Sequence, residues 1–284
     1  MIFEHEIPSG SRLYFGESAK IKRDLEYKAS AILEELKFQE IVTPIFSYHQ
    51  NESFNNPKEL IRVNDEHNHK VTLRADSTAD VVRIVTKRLG RSMEHKRWFY
   101  IQPTLSFPTS EQYQIGAEII DGNFDEVANI TINILSKLNI NPILQIANIK
   151  IPQILHDNYG VDLDILKSMS IEKILDLNID WISDLVSVHR ISDLESLKNI
   201  PKDIAFELDK IKEATKKIDY DNIVISPLYY AKMRYYDSLT FRVFNENGLL
   251  ARGGIYNIDG IKASGFALYS DECITNIMKN NKGR

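Results

Sequence analysis

Residues 112–118, Gln112-Tyr113-Gln114-Ile115-Gly116-Ala117-Glu118, carry the clearest chemical pattern in the chain. Side chains alternate faces along an extended strand, so Gln114 and Glu118 share a face about 13 Å apart, at roughly 3.3 Å per residue, with Gly116 between them. An amide and a carboxyl group on either side of a residue without a side chain can hydrogen-bond a small polar ligand, and the glycine is expected to leave floor space for it. A solvated sheet face shows the same alternation. Other reactive types are less organised. His67 and His69 follow Asp65-Glu66 without a second cluster at metal-ligand spacing, so an exposed turn and no metal are expected. Lys87, Arg88, Arg91, Lys96 and Arg97 form a basic stretch that reads as a solvated loop, and Cys273 falls where a terminal helix buries it.

The elements that position residues 112–118 follow from periodicity. Leu25, Ala29, Ile32, Leu33 and Leu36 recur at helical spacing over 18–37, and Gln39-Glu40-Ile41-Val42-Thr43-Pro44-Ile45-Phe46 reads as a strand at a sheet edge or subunit boundary. A strand at 70–74 leads into a helix over 77–89 with Val82, Val85 and Leu89 inward, capped by Asp76 or Ser77. Strands are expected at 97–105 and 112–121, a helix at 124–138 burying Val127, Ile130, Ile134 and Leu138, and a strand at 142–149. Residues 151–220 are helical in pattern without strand alternation. They are expected to form a helical insertion, ending in a segment with Ile204, Leu208, Ile211, Thr215 and Ile218 on one side, between core segments 1–150 and 221–284. Strand patterning returns at 223–226 and 238–244, with Asn247-Gly248 as the left-handed turn of a hairpin. Residues 263–268 complete the antiparallel set, and a helix follows at 271–280. The class is α+β, a mainly antiparallel sheet flanked by helices.

Composition limits what such a site serves. The 284 residues are 43% hydrophobic and 26% charged, ordinary for a globular chain. The formal charge of -5 and pI near 5.9 give no global attraction to nucleic acid or anionic membrane. No apolar run reaches the roughly 18 to 20 residues of a membrane span. One cysteine and an amino terminus with neither a basic nor an apolar targeting region lead to the expectation of a cytoplasmic protein.

Taken in order, the signals resemble the catalytic domain of class II aminoacyl-tRNA synthetases, nearest to the histidyl enzyme and its paralogues. Phe38-Gln39-Glu40-Ile41-Val42-Thr43-Pro44 is similar to the first class motif, which builds the dimer interface. Residues 71–122, including Leu73-Arg74-Ala75-Asp76 and Thr78, are similar to the region around the second. Residues 234–244, beginning Arg234-Tyr235-Tyr236-Asp237, resemble the histidine-specific signature and are followed by Gly253-Gly254-Ile255-Tyr256-Asn257 and Gly265-Phe266-Ala267-Leu268.

The resemblance implies an amino-acid pocket made by Asp76, Thr78, Gln114, Glu118, Arg234 and Tyr256. It also implies lost adenylation chemistry. The phosphate-binding arginine of the second motif falls on Ser106, the glutamate two residues later on Pro108, and the arginine of the third motif on Glu272. Phosphate chemistry rests on positioned cations, so no catalytic residues and no cofactor are expected. Leu239 stands where the signature carries a tyrosine, and the sequence is expected to lack an anticodon-binding domain.

This combination is similar to the regulatory-subunit family of ATP phosphoribosyltransferase. The resemblance implies a non-catalytic partner of the short-form catalytic subunit, a homodimer within a hetero-oligomer, and feedback by L-histidine in the first step of histidine biosynthesis. Two other readings are an amino-acid-activating ligase on the same fold and a tRNA-binding synthetase-like protein.

Overall fold

The structure is a computed structural model and describes residues 6–48, 57–91, 94–168, 170–231 and 235–282. Its frame is one sheet in which β1 (Gln39–Glu40), β5 (Arg97–Ser106), β6 (Ser110–Ile120), β11 (Ile261–Tyr269), β10 (Gly248–Ile258), β9 (Tyr236–Asn245), β7 (Ile143–Asn148) and β8 (Ile223–Ile225) lie side by side in that order. Its inner pairs are antiparallel, while β1 runs parallel to β5 and β8 parallel to β7. A smaller sheet joins β2 (Phe46–Ser47), β4 (Lys70–Leu73) and β3 (Arg62–Asn64).

Alternation along β6 divides the molecule. Ile115, Ala117 and Ile119 enter the main core with Leu25, Ala29 and Leu33 of α1 (Gly16–Glu35) and the buried face of α3 (Phe124–Lys137). Cys273 and Ile274 of α10 (Ser270–Lys282) close that side. The opposite face of β6 carries Gln114, Gly116 and Glu118 and is covered by α2 (Ser77–Arg83), whose Ala79, Val81 and Val82 are completely buried. Helical structure continues past α2 to residue 91, but its pitch changes to a π turn at Ile84–Arg88 and a 3₁₀ turn at Leu89–Arg91.

Helices α4 (Lys150–Tyr159), α5 (Leu163–Ser168), α6 (Ile171–Leu175), α7 (Asp180–Val186), α8 (Ile191–Ser196) and α9 (Lys202–Thr215) fill the stretch between β7 and β8. Ile204, Leu208, Ile211, Thr215 and Ile218 are all buried, on the side expected from their spacing. The four apolar ones share the main core, and Asn148 of β7 donates to the Glu207 carbonyl (3.2 Å) and carboxylate (2.7 Å) of α9.

Two local expectations are corrected. The strand expected over 39–46 breaks into β1 and β2, because Pro44 has no N–H to give either ladder. The carbonyls left over at Thr43 and Pro44 instead accept from the buried Arg74 guanidinium, at 2.7 and 3.2 Å. The hairpin between β9 and β10 turns one residue earlier than Asn247-Gly248. Asn245 pairs with Gly248, and Glu246 takes the left-handed conformation at φ 49°.

Candidate functional site

A cavity of about 690 Å³ opens on the α2 side of the sheet, within the range of about 300–1,000 Å³ usual for small-molecule sites. Asp76, Thr78, Gln114 and Tyr256 line it. Asp76 is extended (φ -144°, ψ 132°) and caps α2, its Oδ1 accepting the Ala79 N–H at 2.9 Å. Its Oδ2 accepts the Tyr235 hydroxyl at 3.0 Å. Burial pushes the Asp76 pKa up to about 6 against those two hydrogen bonds, and neighbouring Asp80 acts in the same direction as burial. Gln114 extends along the cavity wall, its amide nitrogen donating to Gln112 (3.1 Å) and Thr104 (3.3 Å).

Glu118 and Gly116 depart from the expectation of an open floor. Glu118 is completely buried, and its carboxyl group accepts from Tyr256 and, at 3.3 Å, from Tyr100. It lies flat over Gly265, where an added Cβ would sit 1.8 Å from Oε2. A Cβ on Gly116 would stand 2.2 Å from the Tyr100 ring, so the space beside this glycine belongs to Tyr100 and not to a ligand. Burial raises the Glu118 pKa from 4.5 to about 8, against hydrogen bonds from Tyr256, Thr78 and Tyr100. Glu118 therefore stands behind the lining, a protonated acid at neutral pH that orients Tyr256. Arg234 lies outside the described residues.

Sequence reasoning missed Arg252. Strand pairing places Arg242, Arg252, Ala267, Gly116 and Tyr100 in one row across β9, β10, β11, β6 and β5, and directly paired residues project from the same face. Arg252 thus emerges beside Ala267 and lines the cavity with Tyr235, Tyr236 and Tyr269. The alternation Arg252, Gly254, Tyr256 opposite Ala267, Gly265, Ala263 was available in the sequence, but reading it required the β10–β11 register. Lys167 of α5 also reaches the cavity, from the stretch between β7 and β8.

The remaining candidates fall elsewhere. His67 and His69 are exposed around Asp65, which accepts from both of their backbone N–H groups at 2.9 Å. Among the described residues, no group of three or more His, Cys, Asp or Glu is placed to hold a metal. The basic stretch is neutralised in part by Lys87–Asp259, Lys96–Asp121 (2.7 Å) and Arg97–Glu126 (2.6 Å) ion pairs. Burial raises the Cys273 thiol pKa and keeps it inert. Ser106 lines the cavity, next to the Phe107-Pro108 turn of the β5–β6 hairpin, whereas Glu272 is on α10 beside Gly248. No helix among the described residues is long and apolar enough to cross a membrane.

The family model described as histidyl-tRNA synthetase matches residues 14–273. An ATP phosphoribosyltransferase regulatory subunit of Wolinella succinogenes is 42% identical, covering 100% of this chain and 99% of that protein. One from Helicobacter hepaticus is 41% identical over 96% of this chain and 98% of its own length. A crystal structure from Bacillus halodurans C, described as an ATP phosphoribosyltransferase regulatory subunit/histidyl-tRNA synthetase, superposes with a TM-score of 0.86 at 19% identity. It covers 98% of this chain and 84% of that one, a likeness of fold. With the α+β sheet of a class II synthetase and full-length identity to two regulatory subunits, the chain belongs to the histidyl-tRNA synthetase-like family of ATP phosphoribosyltransferase regulatory subunits.

Proposed function

We propose that this chain is a non-catalytic subunit that assembles with the short-form catalytic subunit of ATP phosphoribosyltransferase and brings histidine feedback to it, in the first step of histidine biosynthesis. The observation that carries this reading is an amino-acid-sized site, lined by Asp76, Thr78, Gln114 and Tyr256, in a chain related over its whole length to regulatory subunits. Asp76 offers a carboxylate to an ammonium group, and Gln114 and Tyr256 offer hydrogen bonds to an imidazole. Histidine acts by binding one arrangement of the complex more tightly than another, and its affinity difference sets the size of the feedback.

Homodimerisation is part of the proposal. Val42 (75% exposed), Ile45 (48%) and Phe46 (62%) form an apolar strip on the segment that resembles the first class motif. Large apolar side chains gathered on one segment favour burial against a second surface.

The test is co-purification with a short-form catalytic subunit, followed by its assay with and without this chain and with and without L-histidine. Complex formation, a rise in catalytic activity and its suppression by histidine are expected. Amino-acid-dependent ATP–pyrophosphate exchange by the purified chain would instead establish an activating ligase and end the non-catalytic reading.

A further inference from the structure

Arg252 occupies an unusual position for a guanidinium. Its Nε is buried without a hydrogen-bond partner, and among the described residues it forms no ion pair with a carboxylate. Its surroundings are phenolic: its guanidinium hydrogen-bonds the neutral Tyr269 side chain, whose ring centroid lies 6.0 Å from its central carbon, and Tyr236 is close by. Directly opposite on β9 stands a second guanidinium, that of Arg242. Arg242 is held by neutral groups: the Gln145 side-chain Oε1, 2.8 Å from its Nε, and the Tyr229 ring, 3.8 Å from its centre. Like charges facing each other across a strand pair oppose folding, and arginine cannot relieve this by losing its proton. An anion entering the cavity supplies the counter-charge, and the partner for Nε, that the described residues do not.

We infer that Arg252 is an anion subsite of this cavity, holding the carboxylate of a zwitterionic amino acid whose ammonium group faces Asp76. Tyr235 and Tyr236 connect the two poles. Tyr235 donates to Asp76, and its ring packs 5.2 Å from that of Tyr236, which stands beside Arg252. The charge balance favours a zwitterion over a polyanion. Among the described residues the charged groups lining the cavity are Arg252 and Lys167 against Asp76 and Glu59, two of each sign. The planar fork of arginine also suits two-point contact with a carboxylate. This inference deepens the amino-acid-binding reading of the cavity and rests on it for the choice of carboxylate; the anion subsite itself rests on the geometry of Arg252.

The experiment is titration calorimetry on the full chain with L-histidine, histamine and inorganic phosphate, using wild type, Arg252→Gln and Arg234→Gln. Histamine keeps the imidazole and ammonium of histidine and lacks its carboxylate. Wild type is expected to prefer histidine to histamine. Arg252→Gln should lose about 10- to 100-fold in histidine affinity, the worth of a charge-assisted hydrogen bond, while its histamine affinity stays close to wild type.

The unliganded Arg252→Gln protein is expected to resist urea at least as well as wild type, because it loses a like-charge pair. If it folds poorly, Arg252→Lys gives the same readout, with the preference for histidine reduced and not abolished. The inference is overturned if Arg252→Gln binds histidine as wild type does, if it loses both ligands equally, or if Arg234→Gln alone removes the preference for the carboxylate. If wild type binds phosphate and not histidine, and Arg252→Gln abolishes that binding, the amino-acid reading of the cavity falls and the anion subsite stands. If wild type binds none of the three, the subsite falls as well.

Discussion

Replacing Glu118 with glutamine is expected to remove a pH dependence from the stability of this fold. The Glu118 carboxyl group is completely enclosed, and burial raises its pKa from 4.5 to about 8. The folded chain therefore holds a proton that the unfolded chain releases. Stability from this group is fully present below pH 4.5, declines as pH rises, and levels off above about 8, where both states have lost the proton. At about 1.36 kcal/mol per pH unit, the decline across that window reaches at most about 5 kcal/mol, less where water penetrates. Asp76 acts in the same direction over the lower window from 3.8 to about 6, adding at most about 3 kcal/mol. Glutamine keeps the shape of Glu118 and an oxygen to accept from a tyrosine, but has no proton to release. Urea unfolding of wild type and Glu118→Gln across this pH range isolates the Glu118 contribution, because every other titrating group is common to both proteins. The wild-type advantage should shrink with each step upward in pH, by roughly 1 kcal/mol per unit. Parallel stability profiles for the two proteins would refute the argument, as would a wild-type advantage that grows with pH.

Further outcomes follow from the packing of the same wall. Gly265→Ala places a methyl group 1.8 Å from Glu118 Oε2 and 2.6 Å from the Ala117 carbonyl oxygen, so its chemical-denaturation midpoint should fall by the equivalent of about 1–3 kcal/mol. Asp76→Asn keeps the α2 cap and removes the charge, so thermal stability should hold while calorimetry shows weaker histidine binding; Asp76→Ala should also lose about 1 kcal/mol of stability with the cap. Arg74→Met strands the carbonyls of Thr43, Pro44 and Pro103, which now accept from the guanidinium at 2.7 to 3.2 Å, and should cost at least about 2 kcal/mol in equilibrium unfolding.

The framework was legible in the sequence where burial is one-sided. Ile115, Ala117 and Ile119 alternate with polar partners, and Val127, Ile130 and Ile134 keep a helical period, so face and element can be read together. The site was harder to read because strand register decides which residues meet. Gly116 alone suggests open space, yet its paired residue on β5 is Tyr100, whose ring takes that space. Glu118 alone suggests a ligand-facing acid, yet Gly265 on the neighbouring strand lets the carboxyl group lie down within the wall. Arg252 went unnoticed for the same reason, since its relation to Ala267 and Gly116 exists only across three strands. The β1–β2 break came from Pro44, a residue the sequence displays plainly but whose effect depends on where its missing donor would have pointed.

The Arg74 side chain also brings two distant parts of the molecule within reach of each other. One end of its guanidinium holds the carbonyls of Thr43 and Pro44, in the exposed apolar strip of Val42, Ile45 and Phe46; the other holds Pro103 on the strand leading to Ser106 at the cavity edge. Two residues further along its own backbone is Asp76, the acid at the start of α2. The strip segment, the β5–β6 hairpin and the acid that caps α2 are thus tied to one residue, so a substitution at Arg74 loosens all three together.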